Sequence, residues 1–181
     1  MRIITGSAKG FKLKVPKGLD VRPTSDRVKE SVFNILSDQV YDAVVLDLFA
    51  GTGNLGLEAL SRGAKQAVFV DSSYTSMSFI KENAARTKLS ESAQFIKSDV
   101  LAAIEKFASG GRVFDIIFCD PPYNHGFVEK VLRSIDKSQL LAPGGMIVIE
   151  HSKHELVPTD LVHLVTRRTE RYGETLVSFV Q

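Results

Sequence analysis

The feature that most constrains the fold is an alternation of short apolar runs with segments of helical periodicity, which begins near residue 43. A strand–helix–strand order makes successive strands parallel, and helices then cover both faces of the sheet. The sequence therefore predicts an α/β protein with a mostly parallel sheet. The strands are expected at 44–48, 67–70, 93–96, 114–119 and 146–150, with helices at 55–62, 74–87, 100–108 and 127–135.

Both ends of the chain depart from this alternation. Residues 2–15 alternate apolar and polar side chains, which predicts a β-hairpin. An amphipathic helix capped by Thr24 is expected over 25–38. At the other end, the runs 161–168 and 175–180 predict a closing antiparallel hairpin.

The composition is typical of a soluble globular protein. The chain has 181 residues, 44% of them hydrophobic and 24% charged, so we expect one domain over 1–181, on which 1–40 packs as an extension. It has no apolar run of membrane-spanning length and no secretory signal, which predicts a cytoplasmic protein without a membrane partner. The single cysteine, Cys119, lies in an apolar run and predicts a core residue.

Positive charge is concentrated at the amino-terminal end. The formal net charge of the chain is +2, yet residues 1–30 hold eight basic and three acidic side chains, a net charge of +5. A basic segment of this kind suits a polyanion such as RNA, and a solvated lysine-rich surface accounts for it equally well. The candidate RNA-binding side chains are Lys9, Lys12, Lys14, Arg22 and Arg27.

A glycine-rich loop follows the first predicted strand. Gly51, Gly53 and Gly56 form a G-x-G-x-x-G pattern between a strand and a helix, and Asp71 ends the next strand. Glycines let the loop turn tightly and let a ligand approach the backbone, while the helix start offers free N–H groups. The pattern predicts a nucleotide-like cofactor, and by itself it fits a dinucleotide as well.

Acidic residues at three successive strand ends favour one cofactor. Asp47 precedes the glycines and suits a cationic group, because a pyrophosphate beside it would be repelled. S-adenosylmethionine has an amino group and a sulfonium and no phosphate. Asp71 is placed to accept from the ribose hydroxyls and Asp99 from the adenine amino group, with a helix N-cap as the alternative role of Asp99. The predicted cofactor-binding residues are Asp47, Phe49, Gly51, Gly53, Asn54, Asp71, Asp99 and Val100.

A rigid turn ends the fourth predicted strand, where the sequence reads IFCDPPYN. Prolines cannot donate to a sheet ladder and fix φ, so the strand stops at Asp120. Asp120-Pro121-Pro122-Tyr123 resembles the (Asn/Asp)-Pro-Pro-(Tyr/Phe) motif of methyltransferases that modify a planar, conjugated nitrogen. The resemblance implies that the Asp120 carboxylate and the Pro121 carbonyl accept the two hydrogens of an amino group, while Tyr123 stacks on the base.

Motifs along nearly the whole chain form a combination that is more specific than any one of them. They are RPTSDRVKE at 22–30, FNIL at 33–36, LDLFAGTG at 46–53, GLEALSRGA at 56–64, DPPY at 120–123 and YGET at 172–175. Together they resemble those of the bacterial RsmD-type family, which methylates the exocyclic N2 of one guanine in small-subunit ribosomal RNA. The resemblance implies a class I, Rossmann-like methyltransferase fold, S-adenosylmethionine as donor without a metal, and ribosomal RNA in a partly assembled subunit as substrate. We expect the protein to act as a monomer.

Three positions differ from the family pattern. Lys9 replaces the arginine of the usual Gly-Gly-x-x-Arg-Gly segment, which keeps the charge and loses the bidentate fork. Asp71 stands in place of a glutamate, and Asn54 in place of a small residue. None of these changes removes the chemistry that the resemblance implies.

Other interpretations stay open at this point. The same motif serves methyl transfer to adenine N6 or to a glutamine amide, the glycine loop also fits a nicotinamide-dependent oxidoreductase, and a non-catalytic RNA-assembly factor could keep the fold. His151 and His154 are interpreted as a surface loop rather than a metal site. Glu58 is interpreted as part of a solvated helix face.

Overall fold

The computed structural model describes residues 1–16 and 26–181, and its centre is one seven-stranded sheet. The strands are β1 (Val44–Leu48), β2 (Gln66–Asp71), β3 (Ala93–Lys97), β4 (Phe114–Cys119), β5 (Leu141–Ser152), β6 (Thr166–Tyr172) and β7 (Thr175–Val180). Their order is β3-β2-β1-β4-β5-β7-β6. Strands β1 to β5 are parallel and β7 is antiparallel to both neighbours, which confirms the predicted sheet and its closing hairpin.

Helices cover both faces of the sheet, as the alternation predicts. They are α1 (Asp26–Leu36), α2 (Asn54–Ser61), α3 (Tyr74–Arg86), α4 (Val100–Ser109) and α5 (Phe127–Ser138), with 3₁₀ turns at Ser37–Val40 and Ser90–Ser92. Val45 and Phe69 face the core under α1, α2 and α3, whereas Leu46 and Val68 face the core under α4 and α5. Because parallel strands are buried on both faces, they read as continuous apolar runs. No helix among the described residues is long and apolar enough to cross a membrane.

The carboxyl-terminal strands differ from the predicted bounds. β5 runs from Leu141 to Ser152, and β6 starts at Thr166 rather than near residue 161. The Asp136 carboxylate explains the late start, because it accepts the backbone N–H groups of residues 162–164 and holds them as a loop. The interpretation of His151 as a surface residue was wrong: it lies in β5, is 3% exposed, and its Nε2 lies 2.9 Å from Ser178 Oγ.

The amino-terminal segment folds back on itself as a short antiparallel pairing. A single antiparallel bridge joins Arg2 and Lys12, and Ile3 N donates to Phe11 O. The short hairpin predicted over 2–15 is thus present, but as one bridge rather than two full strands. The predicted helix cap Thr24 lies in 17–25, outside the described residues.

The strand order reverses between β1 and β4, and this reversal positions the candidate site. Ligands of doubly wound sheets bind at the carboxyl ends of the strands where the order reverses. Leu48 of β1 pairs with Cys119 of β4 in the register. The glycine loop and the Asp-Pro-Pro-Tyr turn therefore leave the sheet side by side.

Candidate active site

The glycine loop takes a tight path from β1 to α2. Phe49, Gly51 and Gly53 all have positive φ angles, of 59°, 56° and 80°, which glycine adopts freely and phenylalanine does not. Gly53 N donates to Ala50 O at 2.7 Å, closing the turn. Gly51 N donates to Asp71 Oδ2 at 2.9 Å, so the loop is braced against the end of β2.

The third glycine of the pattern serves packing. Gly56 N donates to Asp47 Oδ2 at 2.9 Å. A Cβ atom at Gly56 would lie 2.3 Å from the Phe69 ring and 3.0 Å from the same Asp47 oxygen. Any side chain at this position would therefore push α2 away from the sheet and from Asp47.

Asp47 lies in a buried and electrostatically unfavourable position. It is 3% exposed. Burial raises the pKa of its carboxyl well above the ordinary value, the Gly56 N–H opposes that rise, and the charges of Asp120 and Asp71 add to it. Among the described residues, neither Asp47 nor Asp71 has a lysine or arginine nitrogen within 4.0 Å. A cationic ligand would relieve this repulsion.

The two acids that follow β2 and β3 also hold backbone groups. Asp71 accepts from Gly51 N and from Ser73 N, one bond to each carboxylate oxygen. Asp99 Oδ1 accepts from Leu101 N and Ala102 N, so this side chain is the N-cap of α4. The alternative role considered for Asp99 is thus present, and its Oδ2 takes no part in the cap. Val100, the next residue, is 4% exposed and packs in the core.

The Asp-Pro-Pro-Tyr turn begins directly after β4. Asp120 is partly buried, Pro121 is buried and Pro122 is exposed. Gly126, with φ of 69°, ends the loop before α5. The charge of Asp120 contributes to the raised pKa of the Asp47 carboxyl.

The Tyr123 hydroxyl is fixed by two residues that the sequence did not indicate as partners. It donates to Glu150 Oε1 at 2.5 Å and lies 3.2 Å from Thr175 Oγ1. Burial, and then the hydrogen bond to Glu150, raise the pKa of Tyr123 above its ordinary value, so the phenol stays neutral. These contacts set the position of the ring from β5 and β7.

Cys119 is a core residue, as predicted. It is 1% exposed and contributes to the cluster under α4 and α5. Burial, together with the charges of Asp120 and Asp47, raises the pKa of its thiol well above the ordinary value. A neutral, enclosed thiol is a poor nucleophile.

A buried ionic cluster lies behind the glycine loop, and the sequence interpretation missed it. Glu58, expected on a solvated face, is 0% exposed, so that interpretation was wrong. Its two oxygens accept from Lys29 Nζ at 3.1 Å, Arg62 Nε at 2.8 Å, and the backbone N–H groups of residues 4 and 5. We call Lys29, Glu58 and Arg62 the Lys29–Glu58 cluster. The available signal was a lone acid in an otherwise uncharged helix, and a lysine on the buried stripe of α1.

Lys29 connects three parts of the protein. Besides Glu58, its ammonium donates to Arg2 O at 2.6 Å and to Asn54 Oδ1 at 2.7 Å. Burial lowers its pKa, and the Glu58 charge opposes that shift. Because an ammonium only donates, the carbonyl end of Asn54 must face Lys29. The Asn54 amide nitrogen is thereby oriented away from Lys29 at the first turn of α2.

The amino-terminal segment docks on α2 and α3 beside the glycine loop. Gly6 approaches α2 so closely that a Cβ atom would lie 1.7 Å from Ser61 O, and Ser7 N donates to that oxygen at 2.8 Å. Asn83 Nδ2 donates both to Lys14 O and to Thr52 O, which joins this segment to the loop. The segment therefore has a defined position next to the glycine loop.

The predicted RNA-binding side chains that the structure describes are exposed. Lys9 and Lys12 flank Phe11, which is itself 42% exposed. Lys14 forms an ion pair with Glu82, and Arg27 projects from the first turn of α1. Arg22 lies outside the described residues.

Comparisons with known proteins find a family and relatives that match most of the chain. Residues 1–181 match the family model described as conserved hypothetical protein 95. The candidate rRNA methyltransferase YlbH of Bacillus subtilis is 40% identical over 178 residues, 98% of this chain and 97% of that protein. Ribosomal RNA small subunit methyltransferase D of Escherichia coli is 36% identical over 159 residues, 88% of this chain and 78% of that protein.

Solved structures show the same fold. The candidate methyltransferase yhhF of Escherichia coli has a TM-score of 0.87 and 35% identity, over 100% of this chain and 97% of that chain. An RNA methyltransferase from Salinibacter ruber in complex with S-adenosyl-L-homocysteine has a TM-score of 0.67 at 15% identity, over 87% of this chain and 91% of that chain. The second likeness concerns the fold alone.

Proposed function

Because the chain belongs to the family described as conserved hypothetical protein 95, we propose that it transfers a methyl group from S-adenosylmethionine to the exocyclic N2 amine of a guanine in small-subunit ribosomal RNA. The coarser activity, rRNA methylation, is that of relatives that match most of the chain. One observation carries the finer proposal. The Asp-Pro-Pro-Tyr turn lies beside the glycine loop at the reversal of the strand order.

The described residues fit a cationic, phosphate-free cofactor. Two acids without a nearby basic side chain, Asp47 and Asp71, border a loop whose positive φ angles allow close backbone approach. Asp47 would hold the amino group, Asp71 the ribose hydroxyls, and Asp99 Oδ2 the adenine amine. Phe49, Gly51, Gly53, Asn54 and Val100 would form the rest of the cofactor-binding surface.

The residues of the turn would orient the substrate amine. When bound, S-adenosylmethionine supplies an electrophilic methyl carbon. The Asp120 carboxylate and the Pro121 carbonyl accept the two N–H groups, which directs the nitrogen lone pair towards the cofactor side of the cleft. Positioning of this kind lowers the free-energy barrier of the reaction by at most about 7 to 11 kcal/mol. Asp120 then accepts the proton that the methylated nitrogen loses, and Tyr123 stacks on the base.

The amino-terminal extension, residues 1–40, would contact the RNA backbone. Lys9, Lys12 and Lys14 are exposed on the segment that docks next to the glycine loop, together with Phe11. Arg22 and Arg27 complete this set. The target guanine must be unpaired or flipped out, which costs a few kcal/mol. We propose a partly assembled small subunit as the substrate, and a cytoplasmic monomer as the enzyme.

Replacement of Asp120 tests the proposal. Purified protein is incubated with labelled S-adenosylmethionine and small-subunit particles from a strain that lacks the gene, and the modified nucleoside is identified by mass spectrometry. We expect N2-methylguanosine with the wild type, and none with Asp120→Ala, whose cofactor affinity in calorimetry should persist. The exposed Asp38→Ala is the matched control and should match the wild type. Methyladenosine as product, or near-native transfer by Asp120→Ala, would refute the assignment.

A further inference from the structure

A groove outside the cofactor cleft lies where the start of α1 meets the turn between β6 and β7. Its volume is about 390 Å³ and its lining residues are Arg27, Val28, Arg171, Tyr172 and Gly173. We call it the Arg27–Arg171 groove. Nothing in the role of the glycine loop or of the Asp-Pro-Pro-Tyr turn explains two arginines at this position.

The walls of the groove are held in place by specific contacts. Arg171 Nε donates to Gly173 O at 3.0 Å, which keeps the guanidinium against the hairpin turn and leaves its terminal nitrogens for a ligand. The Tyr172 hydroxyl contacts Ser31 Oγ and so joins the turn to α1. The groove therefore has one helical wall and one strand wall in a fixed relation.

Positive charge in the groove is not balanced by ion pairs. Within the described ranges, no carboxylate lies within 4.0 Å of the basic nitrogens of Arg27 or Arg171. The two acids of the same hairpin form ion pairs elsewhere, Glu170 with Arg168 and Glu174 with Lys153. The Arg171 charge contributes only after Lys153 to the lowered pKa of Glu174. An anionic ligand is the chemistry that this arrangement fits.

The groove adjoins the turn that would hold the substrate base. Tyr172 lies opposite Thr175 in the β6–β7 register, and Thr175 Oγ1 lies 3.2 Å from the Tyr123 hydroxyl. Neighbouring strands are about 4.8 Å apart. A single residue, Thr175, therefore links the Tyr123 hydroxyl to Tyr172 in the wall of the groove.

The charge of the cleft adds a second argument. A strand whose base enters beside Asp47, Asp71 and Asp120 brings its phosphates close to three carboxylates that repel them. The phosphate next to the target therefore needs a basic surface at the edge of the cleft. The groove that Arg27 and Arg171 line also includes Tyr172, the register partner of Thr175, which lies beside the Tyr123 hydroxyl.

We propose that the Arg27–Arg171 groove binds the backbone phosphate of a nucleotide adjacent to the guanine that stacks on Tyr123. This inference rests on the proposed function and assigns a substrate contact to Arg171, Tyr172 and Gly173. Phosphate contacts fix the register of a nucleic acid without reading its sequence. The groove therefore positions the target base rather than selecting it.

Substitution of Arg171 tests the groove. Binding of the full chain to small-subunit particles is measured over a series of salt concentrations, and methyl transfer is followed under steady-state conditions. We expect Arg171→Ala to raise KM for the particle about tenfold. The slope of the logarithm of the binding constant against the logarithm of salt concentration should fall by the amount that about one phosphate contact contributes. Arg171→Lys should recover only part of the loss, because the fork geometry is missing. Cofactor affinity should not change.

Arg167→Ala is the matched control, because it removes the same charge from an exposed position of the same strand outside the groove. Thermal melting checks that each variant is folded. Equal KM values and equal salt slopes for Arg171→Ala and Arg167→Ala would refute the proposal that the groove binds a phosphate. Absence of methyl transfer by the wild type would instead refute the proposed function. The salt dependence of particle binding by the two variants would still show whether the groove binds a phosphate.

Discussion

The Lys29–Glu58 cluster and the acidic cleft both contain buried charge, and the protein treats that charge in opposite ways. In the cluster, the Glu58 carboxylate meets two basic side chains and two backbone N–H groups. In the cleft, Asp47 meets one backbone N–H and the like charges of Asp120 and Asp71. The two regions are adjacent in the chain, since Glu58 and Asp47 flank the same loop.

The difference separates structural charge from functional charge. A buried ion whose partners all come from the protein stabilises one arrangement of the chain, because removal of either partner leaves the other unmatched. A buried acid that faces like charges, as Asp47 faces those of Asp120 and Asp71, destabilises the free protein and favours a cationic ligand. We therefore expect a cationic ligand in the cleft to stabilise the protein, whereas the cluster stabilises the loop beside the cleft without a ligand.

Removal of the Glu58 charge is expected to have the largest effect on this comparison. Glu58→Gln keeps the shape of the side chain and leaves the buried Lys29 ammonium without its counter-ion. We expect a loss of about 3 to 5 kcal/mol in the free energy of unfolding, measured by urea denaturation. The control is Glu129→Gln, an exposed partner of Arg133, for which no measurable loss is expected. Similar losses for both variants would contradict the structural role of the cluster.

Substitution of Gly6, where the amino-terminal segment docks on α2, should give the next largest loss in the free energy of unfolding. Gly6 and Gly10 have nearly the same φ, 86° and 85°, yet only a Cβ at Gly6 would meet Ser61, whereas nothing lies within 4 Å at Gly10. We expect Gly10→Ala to cost about 1 to 2 kcal/mol through backbone strain alone, and Gly6→Ala more than about 3 kcal/mol. Equal midpoints in denaturation would show that the segment does not dock at α2.

Neutralisation of Asp47 should act in the opposite direction. Asp47→Asn removes a buried like charge, and we expect it to stabilise the free protein by about 0.5 to 2 kcal/mol while it weakens cofactor binding. Calorimetry and denaturation on the same preparation measure both effects. A variant that is destabilised, or that binds the cofactor as tightly as the wild type, would remove the contrast between cleft and cluster.

The same variant predicts a pH dependence. The folded pKa of Asp47 is raised above its unfolded value, so the folded protein holds more protons between the two values. The free energy of unfolding of the wild type therefore falls as pH rises through that window. The gain in free energy of unfolding of Asp47→Asn over the wild type should be absent below the ordinary carboxyl pKa of about 3.9 and should grow above it. A difference in free energy of unfolding that did not change with pH would show that it does not come from the Asp47 charge.

Loss of the Tyr123 hydroxyl should give the smallest effect. Tyr123→Phe keeps the ring and removes the bonds to Glu150 and Thr175, with an expected cost of about 0.5 to 1.5 kcal/mol. Methyl transfer should fall by far less than in Asp120→Ala, because stacking remains. Tyr123→Ala separates the ring from the hydroxyl, and equal kinetics for the two variants would show that the ring does not stack on the base.

The parts of the fold that were predicted from sequence depend on repeated local signals. The parallel strands are short apolar runs, and their ends carry Asp47, Asp71 and Asp120, so topology alone brings these acids to one edge. The Lys29–Glu58 cluster is different, because Lys29 comes from α1 and Glu58 from α2, and single charged residues carry no periodic signal. The late start of β6 depends likewise on one carboxylate, Asp136, that is distant in sequence. The hydrophobic pattern thus predicted the strands, whereas it carried no information about contacts between individual polar side chains.

The anchoring of Tyr123 to Thr175 has a consequence for shortened copies of this chain. A fragment that stopped before residue 166 would retain every glycine of the loop and the complete Asp-Pro-Pro-Tyr sequence. It would nevertheless lack β7, and with it the Thr175 oxygen that lies beside the phenol. A gene that preserves the recognisable motif but not the last two strands should therefore not be expected to encode a working enzyme.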